Sequence, residues 1–450
     1  MNPPPSKSAA KSAEPSKIDA ATVRAKHAQY LFPSVANSYR EPIVRESGDG
    51  PFLNDADGNQ YLDFFGGILT VSIGHCDSRV TGALKAQIDR LGHVSTLYPT
   101  LPIVELAERL ARITPGNLSK SFFTASGTEA DETAVALAQV HTGSTELIAL
   151  RHGYSGRSML AQSLTAHDTW RAIPTQIAGV KHALSPYCYR CPLGATYPSC
   201  GVRCATDIRE LIRTTTTGRI AGMLAEPIQG VGGFITPPPE YFRIAAEIVR
   251  EHGGIFISDE VQTGFGRTGG KMFGIEHWGV EPDVMTMAKG IANGMPLAAT
   301  VATPEVANSF KKLTISTFGG NPMSCAAANA VIDVIEGENL TANAETQGAR
   351  LREGLLALQR KYPRIIGDVR GMGLMQGVEL VVDETAGDRT PNPQAVPRLF
   401  EETRSRGLLI GKGGLYGNVL RISPVLTITS DLVDEALRIL GESLAAIGAA

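Results

Sequence analysis

Two residues carry the first chemical signal: Asp259 and Lys289 each follow a short apolar run, and each is embedded in a glycine-rich loop. A lysine entering an apolar site loses hydration, its ammonium form is disfavoured, and the free amine becomes a nucleophile towards carbonyls. Such an amine can hold an aldehyde cofactor as a Schiff base. A carboxylate beside a pyridine nitrogen would keep that nitrogen protonated, which is what makes a pyridoxal ring an electron sink. Spacing alone leaves a second reading open, in which the two side chains pair with each other or face solvent.

A phosphate site would complete such a centre, and TASGTEADETAVALAQV supplies a candidate. A strand, FFT, is followed by Ser126, Gly127 and Thr128 and then by a helix. Backbone N–H groups at a helix start bind phosphate, and glycine lets the ligand approach the backbone. Glu129, Asp131 and Glu132 follow at once and would satisfy the same helix dipole, so an ordinary capped helix is the competing reading.

Other motifs point elsewhere. Gly264-Phe-Gly266-Arg-Thr-Gly269 matches GxGxxG, but DEVQT separates it from its strand and no helical pattern follows, so a dinucleotide site is not expected. A Walker loop fails because Phe265 stands at its first glycine and Met272 at its Ser/Thr. Cys188, Cys191, Cys200 and Cys204 form CxxC then CxxxC in a Pro/Gly-rich loop. That spacing fits a structural zinc site, reduced packing thiols or a redox pair, and none of these readings makes the cysteines catalytic. The histidines show no HExxH arrangement, so no catalytic metal is expected, and His152 reads as a loop hydrogen-bonder.

The elements that must position these residues are legible as alternating patterns. ELIAL (146–150), AGMLA (221–225), GIFIS (254–258) and DVMTMA (283–288) are apolar runs of the kind that fully buried parallel strands require, separated by amphipathic helical stretches. An α/β core follows. His152 and Tyr154, Glu226, Asp259 with Glu260, and Lys289 come directly after those runs. In an open α/β sheet the carboxyl ends of the strands line the ligand crevice, which predicts convergence of these side chains. Upstream, FLNDADGNQYLDFFGG reads as a hairpin with Asp57 and Gly58 in its turn, and LPIVELAERLARI (101–113) as a helix ended by Pro115 and Gly116. From about residue 331 the pattern is helical, with one late strand at NVLRISPVL. Residues 1–20, rich in Pro, Ser, Ala and Lys, read as a disordered tail; a mitochondrial presequence is the rival reading, weakened because the first arginine is Arg24.

Composition excludes several classes. The chain has 450 residues, 43% hydrophobic, with 42 basic and 45 acidic side chains and a net charge of −3. It lacks the basic excess of a nucleic-acid reader and any run of the roughly 18 apolar residues that a membrane helix needs. Six cysteines do not make a disulfide framework, and a cytoplasmic location is expected.

In order, SGTEA (126–130), HGYSGRS (152–158), AEPIQGVGG (225–233), SDEVQTGFGRTG (258–269), AKGIANGMPLAA (288–299) and STFGGNP (316–322) resemble the class III aminotransferases, pyridoxal 5'-phosphate (PLP) enzymes of fold type I. With YLDFFGG, GHC and LRISP, the resemblance spans roughly residues 50 to 425. It implies an α/β fold: a large PLP-binding domain (76–335) with a mostly parallel seven-stranded sheet between helices, and a smaller α+β domain (21–75 and 336–450). By position, Lys289 resembles the lysine that carries the cofactor and Asp259 the partner of its pyridinium nitrogen. Gln262 falls near the cofactor's phenolic oxygen and Tyr154 on its ring face. Ser126, Gly127 and Thr128 match the phosphate loop. Thr317 matches a threonine reaching the phosphate of a neighbouring subunit, which implies a homodimer with shared sites, alone or paired into a tetramer. Glu226 is a site-wall residue, and Arg421 resembles the arginine that anchors a substrate α-carboxylate, as the guanidinium fork suits.

Ornithine- and γ-aminobutyrate-type members commonly read EPIQGE, with the final glutamate masking that arginine. Val231 stands there in this chain, which resembles the alanine–glyoxylate branch; Ile68, where some relatives carry an aromatic residue, implies a differently shaped pocket. The expected activity is ping-pong transfer of an amino group from an amino acid or other amine to a short 2-oxo acid, pyruvate or glyoxylate. A PLP-dependent lyase, decarboxylase or racemase on the same fold is the alternative, and a non-catalytic scaffold would need none of Lys289, Asp259 and the phosphate loop.

Overall fold

The computed structural model describes residues 19–174 and 177–448. Most of the expected tail lies outside them, but Ala20, at its end, opens the Ala20–Tyr30 helix, which Asp19 caps. The apolar runs form the middle of one sheet: β1 (Lys120–Thr124), β2 (Leu147–Leu150), β3 (Val180–Ala183), β4 (Gly222–Ala225), β5 (Ile255–Asp259), β6 (Val284–Met287) and β7 (Ala298–Ala302). Every residue of β2, β4, β5, β6 and β7 is buried, as expected of strands covered on both faces. Phe256, the second residue of β5, is fully buried; its truncation to alanine costs about 3–5 kcal/mol.

The strand order is β1-β7-β6-β5-β4-β2-β3. The neighbours from β6 to β3 pair in parallel, and β7 alone runs antiparallel, between β1 and β6. The expected mostly parallel seven-stranded sheet is therefore present, and the carboxyl ends of β1, β2, β4, β5 and β6 open on one edge. The Gly127–Thr142 helix crosses from that edge over β6 and β7.

Two smaller sheets flank this one. The expected hairpin pairs Phe52–Asp55 with Gln60–Asp63; Asp55 Oδ1 accepts from the N–H groups of Asp57 (3.0 Å) and Asn59 (2.8 Å) to close the turn. Leu408–Leu409 joins it in parallel. The other sheet contains Ile366–Met372, Met375–Asp383, Gly411–Gly413 and Val419–Ile422, with Asp388–Pro391 paired to its long strand. The C-terminal part is thus richer in strands than its helical pattern implies. The hairpin of Ile366–Met372 and Met375–Asp383 carries charged residues at alternating positions, and burial of Arg370 and Glu379 disguises its period of two. No helix among the described residues is long and apolar enough to cross a membrane.

Candidate active site

At the carboxyl edge of the sheet lies a cavity of about 290 Å³ that collects residues from distant parts of the chain. Gly127, Thr128, Tyr154, Glu226, Asp259, Gln262, Lys289 and Arg421, all singled out in the sequence, line it. A larger cavity, about 540 Å³, lies between β1 and the 307–316 segment and contains none of them.

Lys289 directly follows β6 and Ala288, and its backbone sits in the left-handed region at φ 47°. Such a conformation is costly for a residue with a Cβ and persists only where the surroundings fix it. Four residues on, Asn293 ties the same loop to the 73–74 segment, accepting from the N–H of Ile73 at 3.1 Å and donating to the carbonyl of Gly74 at 2.8 Å. Burial lowers the Lys289 pKa; Asp259 and Glu226 counteract it, and Arg421 adds to it. Loss of hydration thus favours the neutral amine, the form that attacks a carbonyl.

Asp259 ends β5, is 3% exposed, and accepts from the N–H of Val261 at 2.9 Å. Burial pushes its pKa up to about 6, opposed by that N–H and by Lys289. Asp259 and Lys289 line one cavity without a salt bridge between them, Asp259 buried and Lys289 half-buried. Glu226 is tied down instead: Oε1 accepts from the N–H of Tyr154 at 3.0 Å and Oε2 from that of Gly230 at 2.7 Å. Burial and then Asp259 raise its pKa to about 8. It braces two loops of the wall.

The helix start resolves the tension between phosphate binding and capping. Ser126 and Glu129 cap each other: the N–H of Glu129 donates to Ser126 Oγ at 3.3 Å, and the N–H of Ala125 to Glu129 Oε2 at 2.8 Å. Ser126 does not line the cavity, so it contributes the cap and not a hydroxyl ligand. Gly127 and Thr128 line the cavity, and their N–H groups, in the first turn, have no intrahelical acceptor. A Cβ on Gly156, at φ 128°, would lie 1.9 Å from Thr128 Oγ1, so only glycine admits the loop here. Asp131 does not serve the dipole; it is buried against the sheet and accepts from Thr286 Oγ1 at 2.7 Å.

These groups fit pyridoxal 5'-phosphate. The free N–H groups suit its phosphate, Asp259 its ring nitrogen, Lys289 its aldehyde, and the Tyr154 ring one face. Gln262 supplies the orphan that such a ligand would satisfy: its Oε1 is buried with no hydrogen-bond partner.

Arg421 closes the other end. It is 5% exposed, donates from Nε to the carbonyl of Lys412 (3.0 Å) and from Nη1 to that of Gly230 (3.3 Å), and lies 4.8 Å over the Phe65 ring. It makes no salt bridge among the described residues, and burial pushes its pKa down to about 10. Val231 lines the cavity with it.

Thr317, His152 and the four cysteines lie apart from this set. Thr317 is exposed and outside the cavity. His152 is not a loop hydrogen-bonder: its Nδ1 has no partner, its ring meets Tyr187 edge-on at 5.6 Å, and burial lowers its pKa to about 4. No group of three or more His, Cys, Asp or Glu among the described residues is placed to hold a metal ion, so the zinc reading of Cys188, Cys191, Cys200 and Cys204 finds no support. Sequence reasoning missed Asp131, Arg157 and Trp170 as lining residues. Asp131 had a signal: an acid one turn into an otherwise apolar helix face.

Residues 34–444 match the family model described as Aminotransferase class-III. An Arabidopsis thaliana protein named alanine–glyoxylate aminotransferase 2 homolog 2, mitochondrial, is 43% identical over 413 residues, covering 92% of this chain and 85% of its own. A leucine/methionine racemase of Thermococcus litoralis is 37% identical over 421 residues, covering 92% and 93%. Among solved structures, a PLP-bound amine transaminase from an uncultivated Pseudomonas species superposes with a TM-score of 0.86 at 34% identity, covering 93% of this chain and 98% of that one.

Proposed function

The chain belongs to the class III aminotransferases, PLP-dependent transaminases of fold type I, and from that premise we propose that it transfers an amino group from an amino acid or other amine to a short 2-oxo acid, pyruvate or glyoxylate, in a ping-pong cycle. One observation carries the choice of acceptor: Arg421 is buried in the cavity without a carboxylate partner, and Val231 stands beside it where a masking glutamate would be. The name of the Arabidopsis relative supports the same reading.

When bound, the cofactor supplies an electron sink for the pair left on the substrate carbon. The chain's residues do the rest. Arg421 takes the α-carboxylate in two parallel hydrogen bonds and so sets the reacting carbon near Lys289. Lys289 Nζ removes the proton from the donor's α-carbon and, in the second half, returns one to the acceptor's carbon. With the cofactor bound, Asp259 would hold the proton on its ring nitrogen. Gly127 and Thr128 would anchor its phosphate and Tyr154 would cover one ring face, while Glu226 keeps the Tyr154 and Gly230 loops in place.

A donor/acceptor matrix on purified holoenzyme tests this, reading amine transfer. Pyruvate or glyoxylate as the best acceptor supports it. Racemised donor, ammonia or carbon dioxide in place of transferred amine would favour the racemase, lyase or decarboxylase alternative, the first of which the Thermococcus relative's name keeps in view.

The active unit in our reading is a homodimer in which Thr317 completes the partner's phosphate site. The exposure of Leu313, Ile315 and Phe318 around it supports that reading, and light scattering on the holoenzyme checks it. We also take residues 76–335 as the cofactor domain and 21–75 with 336–450 as the smaller one, on the separation of the three sheets. A reducing compartment suits six unpaired cysteines; we assign the cytoplasm, and since the plant relative is named mitochondrial, cell fractionation decides.

A further inference from the structure

One buried carboxyl in the cavity has no part in the chemistry above. Asp131 is 1% exposed and lines the cavity with Asp259. It accepts from Thr286 Oγ1 at 2.7 Å, and Thr286 is the β6 residue in register with Asp259 of β5. Both carboxyls are thus brought to one wall of the cavity, where Asp131 favours the ionised form of Asp259 by a side-chain hydrogen bond. The charged groups facing the pair are Glu226 after β4 and Lys289 after β6, with Arg421 beyond Lys289.

Two adjacent carboxylates in an apolar site cannot both ionise, so one of them holds a proton. Asp259 has the better claim to the charge, because the N–H of Val261 and Lys289 both favour its ionised form. Asp131 has the Thr286 hydroxyl, and burial and then the Asp259 charge push its pKa well above the ordinary carboxylate range.

We propose that Asp131 is a positioning residue: its carboxyl keeps the proton, donates it to Asp259, and so holds Asp259 oriented and ionised towards the ring nitrogen of the cofactor. The proposal rests on the reading of Asp259 as that nitrogen's partner. An accepted hydrogen bond lowers the proton affinity of Asp259, so without Asp131 the Asp259 carboxylate would take up a proton at higher pH and lose its hold on a protonated ring.

The test is the affinity of the full-length protein for pyridoxal 5'-phosphate, read from the visible absorbance of the bound cofactor between pH 5 and 9. Wild type, Asp131→Asn and Asp131→Leu are compared, and the cofactor's own titration is common to all three. In Asp131→Leu the pH below which affinity falls should rise by about one unit or more. In Asp131→Asn it should stay at the wild-type position, because the amide N–H donates in place of the O–H. An equal loss at every pH in both variants would mean a packing role alone and overturns the proposal. A downward move of that pH in Asp131→Asn would mean that Asp131 carries charge, and overturns it too. If wild type shows no saturable visible band, the assignment of the site itself has failed, and the proposal with it.

Should Asp131→Leu not fold, the thermal midpoint of cofactor-free Asp131→Asn against wild type decides. A proton held by folded Asp131 but lost on unfolding makes wild-type stability fall as pH rises. The advantage of Asp131→Asn should therefore widen from pH 5 to 8; a constant difference overturns the proposal.

Discussion

Arg370 and Arg421 hold the same loop at two points, Arg370 Nε donating to the carbonyl of Gly233 at 2.8 Å and Arg421 Nη1 to that of Gly230 at 3.3 Å. Their surroundings are opposite. Arg370 bonds Glu379 at 2.7 Å and Asp368 at 2.8 Å and lies 4.7 Å over the Tyr187 ring; Glu379 in turn takes Arg190 and the Tyr187 hydroxyl. Burial opposes the Arg370 charge, but Tyr187, Glu379 and Asp368 hold its pKa above the usual value. Arg421 has carbonyls and aromatic faces but no carboxylate. A charge whose partners are all supplied by the chain is structural. A charge left without its counter-ion in a cavity, beside a lysine and raised carboxyls, is waiting for a ligand.

If that contrast is right, mutations on the two sides should separate activity from stability. Lys289→Ala should lower single-turnover transamination by about 10³- to 10⁴-fold while cofactor still binds and the thermal midpoint barely moves; wild-type-like turnover would break the assignment. Glu379→Ala strands Arg370 and should cost about 3–5 kcal/mol in denaturant unfolding, with the folded fraction keeping its KM for the 2-oxo acid. Arg421→Ala should do the reverse, lowering kcat/KM for short 2-oxo acids by about 10²-fold at little loss of stability. Val231→Glu gives Arg421 an internal partner, and the KM for the 2-oxo acid should rise by about tenfold.

The smallest effect is a difference in sign with pH. Against burial, Arg370, Tyr187 and Arg190 hold the Glu379 pKa below its usual value, so that network's stability is present above about pH 4.5 and lost as pH falls through the folded value. Asp259, raised to about 6, does the opposite, and its contribution declines as pH rises from about 4 towards 6. Asp259→Asn should therefore raise the thermal midpoint of the cofactor-free enzyme more at pH 7 than at pH 4.5, by a few degrees, and Glu379→Gln should flatten its acid limb.

The two sides also differ in how far the sequence reveals them. The cofactor end was legible because each residue directly follows an apolar strand, or opens a helix, on one sheet edge; Asp259, Lys289 and the Gly127 turn are local features. Arg421 could be placed only by its resemblance to a family motif, because its neighbours Lys412, Gly230 and Phe65 come from three separate segments. The Arg370–Glu379 network was invisible: buried charges on alternating strand positions look like a solvated surface until their partners from residues 187–190 are known. Asp131 was read as serving the helix dipole because sequence shows that an acid lies near a helix start, not which way it points.

Reduction of the holoenzyme with borohydride, followed by peptide mapping by mass spectrometry, tests the central claim most directly. The account predicts a stable cofactor adduct on Lys289 and on no other lysine. An adduct on a different lysine, or none at saturating cofactor, would contradict it.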